Sequence, residues 1–334
     1  MMQPSYKQRD VFLLFKELPY DFHSGNPPIK ILENLYFDNT PSELLDPQRF
    51  YSPSDVNRLL EYAGLVNMIL PGHTLPGMGI VHCCLRYDSA KVNPYSDCKP
   101  STLFSTFITS LRLQKPCPII VGGQFEVGSS DEPIQKPTHS RLLTSTHNPK
   151  PMLRYSKKDV QLSSEISKDF LKILQRNNKS RIKSALIYFS QVTQGFSISL
   201  QLCYLGLWAA LEAIFQPTGK NKAETVARRI TAYLSAFDLP QDMEGWLKTE
   251  YIHRRSKFTH GSHVAPPPLQ NITRGKDAFP KLHEITRLCL LGFISLEQSE
   301  QIQISEETGN KLQQKLESLG QAKGKYLNQQ KMYL

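Results

Sequence analysis

Short apolar runs broken by glycine and proline fill the first 130 residues, whereas from residue 156 onward apolar positions recur every three or four residues. The first texture predicts strands over 11–15, 29–32, 78–87 and 119–127. It also predicts helices over 54–65, capped by Ser52 or Ser54, and over 102–113, ending before Pro116. The second texture predicts helices over 162–174, 183–194, 200–215, 224–237, 242–258 and 279–298. Residues 306–334 are polar and suit a last helix that frays. Between the two textures, 129–151 carries Pro133, Pro137, Pro149 and Pro151 among serines and threonines, the composition of a linker or long surface loop. The expected fold class is therefore α+β: a small mixed α/β N-terminal domain over 1–130, a Pro/Ser/Thr-rich linker over 131–155, an all-α helical bundle over 156–300, and a polar C-terminal helix or tail over 301–334.

Composition adds a charge asymmetry. A chain of 334 residues accommodates two domains, and 40% hydrophobic residues supply a sizeable core. Residues 1–150 hold 14 basic and 14 acidic side chains, so the rest, with 26 and 16, carries the whole net charge of +10. A basic domain beside a neutral one fits a polyanion partner for the C-terminal part, although basic helix surfaces are also common in proteins without one. The six cysteines show no disulfide-framework spacing, and His82-Cys83-Cys84 with Cys98 and Cys117 contains no C-x-x-C pair, which favours packing over a metal site. The apolar stretch 198–215 includes Gln201 and Glu212 and reads as a buried core helix, not a membrane span. The residues Met1 to Ser5 lack the basic-then-apolar pattern of a secretory signal, so a cytoplasmic protein is expected. No phosphate-cradling glycine loop, catalytic triad signature or internal repeat is found, and no cofactor or metal is expected.

The informative segment is Tyr251-Ile252-His253-Arg254-Arg255-Ser256-Lys257-Phe258-Thr259-His260-Gly261. It closes a predicted helix, with Gly261 placed just past the C-cap and Pro266-Pro267-Pro268 beyond. Helix C-termini favour cations, so a purely structural reading of this basic cluster stands beside a functional one. Upstream, Leu207-Trp208-Ala209-Ala210-Leu211-Glu212-Ala213-Ile214-Phe215 places a lone carboxylate in an apolar helix. Such a group needs a partner, and Arg255 or Arg228 is available.

These residues resemble the HEPN superfamily, in particular its Apea-like branch found in abortive-infection proteins. Arg255, four intervening residues and His260 resemble the Arg-x4–6-His motif, and Arg254 fits the longer spacing. The 207–215 segment looks like the branch's "ALE" helix, 224–234 with Ala227-Arg228-Arg229 resembles its intervening helix, and Arg255-Ser256-Lys257-Phe258-Thr259-His260-Gly261 resembles its Arg-Ser-x-x-x-His-Gly ending. The likeness covers 183–296, about a third of the chain. The N-terminal half resembles only the poorly characterised domain that often precedes such bundles.

The resemblance implies a metal-independent endoribonuclease of prokaryotic anti-phage defence, or a toxin. Its RNA substrate supplies the 2′-hydroxyl nucleophile. His260 would serve as general acid–base and Arg255, with Arg254, as phosphate clamp. Lys257, His253 and Tyr251 are candidate substrate contacts, and Glu212 and Ser256 would support the motif from behind. His253, seven residues before His260, falls on nearly the same helical face. Tyr251 can pack over the Arg255 guanidinium or face a base. Five residues of helix rotate by about 140°, so Arg255 and His260 share a face only if the helix unwinds near Gly261; Arg254 lies roughly 120° the other way. Family members usually bring motifs from two chains into one cleft, which implies a homodimer, with RNA as partner and a regulatory protein as a further candidate for the N-terminal domain.

Two other readings remain. Ser256 stands where many active members carry Asn, Asp or His, which leaves open a non-catalytic module that dimerises and binds RNA or nucleotide. An enzyme in the N-terminal half, with the bundle as scaffold, finds no clustered carboxylates or nucleophile motif in its support.

Overall fold

The computed structural model describes residues 10–17, 27–39, 83–95, 98–116, 119–127, 153–176, 180–194, 200–259, 278–321, 324–328 and 330–332. The helix expected over 54–65, the first part of the strand expected over 78–87, and the linker expected within 131–155 up to residue 152 lie outside the described residues. The chain divides into two units, Met1–Ile108 with Cys117–Glu165, and Thr109–Pro116 with Ile166–Leu334. The architecture is α+β, with a small antiparallel sheet in the N-terminal part and helices concentrated in the C-terminal part.

The first unit is built on β1 (Asp10–Glu17), β2 (Ile29–Lys30), β3 (Leu35–Asn39), β4 (Cys83–Tyr87) and β5 (Ile120–Val127), in the order β2-β3-β4-β1-β5. Every neighbouring pair is antiparallel. Val11, Phe12, Leu13 and Phe15 are all buried, so β1 is covered on both faces. That explains its unbroken apolar run, where a half-exposed strand would alternate. β2 is shorter than the expected 29–32 because the Ile31 and Leu32 amides both donate to the Leu35 carbonyl, turning the chain into β3. On β4, burial pushes the Cys83 thiol up to about 12, so it stays protonated and packs as a small apolar group.

Two helices cross between the units. α1 (Pro100–Gln114) begins with proline, whose missing N–H costs nothing in a first helical turn. α2 (Lys157–Gln175) begins with a reciprocal cap: the Ser156 amide donates to Asp159 Oδ2 at 2.7 Å, and the Asp159 amide donates to Ser156 Oγ at 3.3 Å.

The second unit continues with α3 (Arg181–Gln194), α4 (Leu200–Phe215), α5 (Lys222–Tyr233), α6 (Met243–Glu250), a π-type turn (Tyr251–Arg255), α7 (Ser256–Thr259), α8 (Ala278–Ser295), α9 (Gln298–Glu306) and α10 (Gly309–Ser318). α3 and α4 approach closely because Gly206 leaves room for Val192; any side chain there would collide with it. The core is aromatic: Phe215 meets Tyr233 and Phe293 edge-on, at 5.8 and 5.6 Å between ring centroids. The helix expected over 224–237 ends at Tyr233, where the last amides switch to three-residue hydrogen bonds. The one expected over 279–298 breaks after Ser295, and the buried Gln301 amide takes up the carbonyls of Phe293, Ile294 and Leu296. Residues beyond 300 belong to this unit, with Ile304, Leu312, Leu316 and Tyr326 buried in it. Among the described residues no helix is long and apolar enough to cross a membrane.

Candidate functional site

The helix expected to run unbroken over 242–258 changes its hydrogen-bond pattern at the motif. α6 is regular to Glu250, but the Ser256 amide then reaches back five residues to the Tyr251 carbonyl, which also accepts from Ser256 Oγ at 3.2 Å. This single π turn inserts one extra residue into the helix, a distortion frequent at functional sites in proteins. It spans Tyr251, Ile252, His253, Arg254 and Arg255, five of the site candidates or their immediate neighbours. Ser256 is the residue that closes it.

Arg255 leaves the turn towards α4. Its Nε and Nη2 donate to the two carboxylate oxygens of Glu212 at 2.7 and 2.9 Å, a fork-to-fork pair with both side chains about one quarter exposed, 25% and 23%. The lone acid of the apolar helix thus finds Arg255; Arg228, the alternative, pairs with Glu317 on α10 instead. The Arg255 guanidinium also lies 5.1 Å from the centre of the Tyr251 ring, one turn earlier on its own helix. Tyr251 in turn meets Trp208 edge-on at 5.2 Å. Burial, with the charge of Glu212 beside it, pushes the Tyr251 hydroxyl up to about 12. Tyr251 is therefore a neutral packing surface beneath the arginine. A guanidinium has five N–H donors and the pair uses two, so three remain without a hydrogen-bond partner among the described residues.

Arg254 is placed differently. Its side chain is 10% exposed and donates from Nη1 to Glu250 Oε2 at 2.8 Å. The same oxygen accepts from the buried Tyr204 hydroxyl at 2.6 Å. Burial and the Glu250 charge raise the Tyr204 pKa, so that proton stays on the tyrosine. The three groups form one network between α4 and the end of α6. This geometry suits bracing of the turn better than contact with a substrate in solvent. Two arginines adjacent in sequence are thus held by two different carboxylates, one inside the fold and one at its edge.

His253 and Lys257 are exposed and lie four residues apart across the end of the turn. His260 and Gly261 lie outside the described residues. Glu250 was missed by the sequence reading, though its i,i+4 spacing from Arg254 is a signal for such a pair. Arg229 was missed as a site residue too, and its partners, up to 88 residues away in the chain, leave no local signal. Among the described residues no group of three or more His, Cys, Asp and Glu side chains is arranged to hold a metal ion.

Comparison with family models, with curated proteins and with solved structures gave no match.

Proposed function

We propose that this chain is a HEPN-type, metal-independent endoribonuclease, acting as an effector of prokaryotic anti-phage defence or as a toxin, with the site centred on the turn that carries Arg255. The observation that carries the reading is the placement of Arg255: fixed by Glu212 and Tyr251, partly open to solvent, and still holding three donors. A forked cation held this way can grip a phosphodiester and stabilise the charge that builds on it during reaction. The concentration of basic charge in the C-terminal part supports a polyanionic substrate.

In the proposed mechanism His260 takes the proton of the 2′-hydroxyl, and the 2′-oxygen forms a bond to phosphorus as the bond to the 5′-oxygen breaks. A proton is returned to the leaving 5′-oxygen, giving a 2′,3′-cyclic phosphate and a 5′-hydroxyl. Lys257 and His253 extend the basic surface along the strand, and Arg254 holds the turn. A homodimer would bring two such sites together, and the N-terminal unit would recruit a regulatory partner.

The test is RNA cleavage by the purified chain in EDTA, compared with Arg255→Ala and His260→Ala. Cleavage by the wild type, lost in both variants, is expected. Equal cleavage by all three removes both residues from the chemistry.

One observation favours a second reading, a module that binds RNA or nucleotide without cutting it. Glu212 already occupies the two donors of Arg255 best placed for a bidentate phosphate grip. Salt-dependent RNA binding with no cleavage of any RNA offered would select this alternative.

A further inference from the structure

The position of Glu212, and so of Arg255, is tied to a device at the end of α4 that reaches α10. Helix α4 stops at Phe215, and Gln216 follows with φ of +40°, the left-handed region that a residue with a side chain enters only under constraint. Its backbone amide donates to the Glu212 carbonyl at 2.9 Å, and its side-chain amide donates to the carbonyls of Glu212 and Ala213 at 3.3 and 3.2 Å. The last turn of α4, which aims the Glu212 side chain, is therefore closed by this one residue.

What constrains Gln216 is Arg229 on α5. Its side chain is only 4% exposed, and each nitrogen of its guanidinium has a partner. Nη1 donates to the carbonyls of Phe215 at 2.7 Å and Gln216 at 3.3 Å. Nε donates to Glu317 Oε1 at 2.9 Å, and Nη2 to Gln313 Oε1. Gln313 returns a hydrogen bond from its own amide to the Gln216 carbonyl at 3.4 Å. Arg228 grips the Glu317 carboxylate from the other side at 2.7 and 2.8 Å. An arginine at a helix C-terminus is favourable for the α4 carbonyls alone. Here its geometry is also set by two side chains from α10.

We propose that Arg229 is a positioning residue for the site and that α10, through Glu317 and Gln313, is the latch that holds it in place. With the latch closed, Gln216 is kept left-handed, the last turn of α4 is complete and Glu212 holds Arg255. With the latch open, Gln216 relaxes out of the left-handed region, the last turn of α4 frays, and Arg255 loses its fixed partner. The part concerning catalysis rests on the ribonuclease reading; the coupling from α10 to the π turn stands without it.

Amide hydrogen exchange on the full chain separates the two. Glu317→Gln, at an exposed position that leaves the core intact, is expected to quicken exchange in 309–318, in 212–216 and in 255–259. The expected factor is about threefold, that of losing the charge of a partly exposed ion pair. Adding Gln216→Gly, which removes the strain, is expected to restore 212–216 and 255–259 while 309–318 stays fast. Should 309–318 keep its protection in Glu317→Gln, Arg229→Lys, which lacks the fork, is judged by the same two segments. Quickened exchange in α10 or at Arg229's contacts with 255–259 unmoved overturns the coupling. In the cleavage assay Glu317→Gln is expected to lower kcat about threefold, a loss that Gln216→Gly reverses. A wild type that cuts no RNA refutes the ribonuclease reading, and the exchange result then judges the latch by itself.

Discussion

Two forked arginine–carboxylate pairs in the second unit look alike in distance and differ in everything else. Arg287 on α8 gives Nε and Nη2 to Glu284 at 2.7 Å each, with the two side chains 0% and 2% exposed. Its Nη1 reaches the carbonyls of Leu113 and Gln114 at the end of α1 and the Gln330 side chain, and Nη2 also meets the Lys331 carbonyl. Every donor is spent inside the protein. Arg255 makes the same fork with Glu212 at 2.7 and 2.9 Å, yet a quarter of each side chain faces solvent and three donors stay uncommitted among the described residues. A bidentate pair alone therefore says little about purpose. The donors left over, and the solvent that can bring them a ligand, distinguish a fold-closing arginine from a candidate phosphate clamp.

That distinction breaks first at Arg287. Arg287→Met takes the forked partner from the Glu284 carboxylate in a dry interior and removes the hydrogen bonds to the Leu113 and Gln114 carbonyls. The expected loss is about 3–5 kcal/mol of stability. Urea unfolding followed by tryptophan emission reads it, since Trp208 and Trp246 both belong to the second unit. A loss no larger than that of the matching Arg255→Met variant would dissolve the comparison.

Arg255→Ala is expected to do the reverse. Removing one charge-stabilising donor lowers turnover by about 10²–10³, or roughly 2.7–4 kcal/mol at the transition state. The partly exposed pair with Glu212 contributes less than about 1 kcal/mol to stability. Single-turnover RNA cleavage and urea unfolding, run on the same preparation, give the two numbers. A protein that loses stability and activity in equal measure would put Arg255 beside Arg287 as a structural residue.

The sequence made some of this visible and hid the rest for physical reasons. Glu212 stood out because an isolated carboxylate in an apolar helix must find a cation, and the candidates were few. Tyr251 under Arg255 followed from helical spacing. The strand at 11–15 was legible because a continuous apolar run of that length fits a sheet covered on both sides, and the one at 119–127 because Ile119, Ile120 and Val121 lead into an alternation of Gln124 and Glu126 with Phe125 and Val127. β3 was not, since Asn34 and Asp38 bracket Leu35, Tyr36 and Phe37 and its apolar character is confined to those three. The π turn was invisible because periodicity over 242–258 tolerates one extra residue, and only the Ser256-to-Tyr251 hydrogen bond reveals it. Arg254 and Arg255 carry the same side chain, and which is buried depends on that one-residue offset. The partners of Arg229, and those of Arg287 other than Glu284 three residues before it, come from segments far apart in the chain, which no local pattern announces.

A smaller effect sharpens the contrast between the two neighbouring arginines. Tyr204→Phe removes the hydroxyl that shares Glu250 with Arg254 but leaves the ring that meets Trp208 edge-on at 6.5 Å. The expected cost is about 1–2 kcal/mol, that of one buried hydrogen bond to a charged group. RNA affinity is expected to stay within about twofold, because Arg255 keeps its own carboxylate. Urea unfolding and filter binding check the pair of outcomes; an affinity that collapses would carry Arg254's network into the binding surface.

The smallest effect concerns acid, and it divides the latch from both forks. Burial works against ionisation of Glu317, but the hydrogen bonds from Arg228 and Arg229 outweigh it and hold its pKa below the ordinary 4.5. A carboxylate whose pKa is lower in the folded state adds stability that is fully present above its unfolded value and is lost as pH falls through the folded one. The latch is thus complete at neutral pH and weakens only below pH 4.5. Glu317 is 39% exposed, so screening keeps the change under about 1 kcal/mol. Unfolding midpoints measured down the acid limb should fall more steeply in the wild type than in Glu317→Gln, which has no proton to gain there. Parallel limbs would mean that the two arginines do not favour the charged form of Glu317, and α10 would then be held by Leu312 and Leu316 alone.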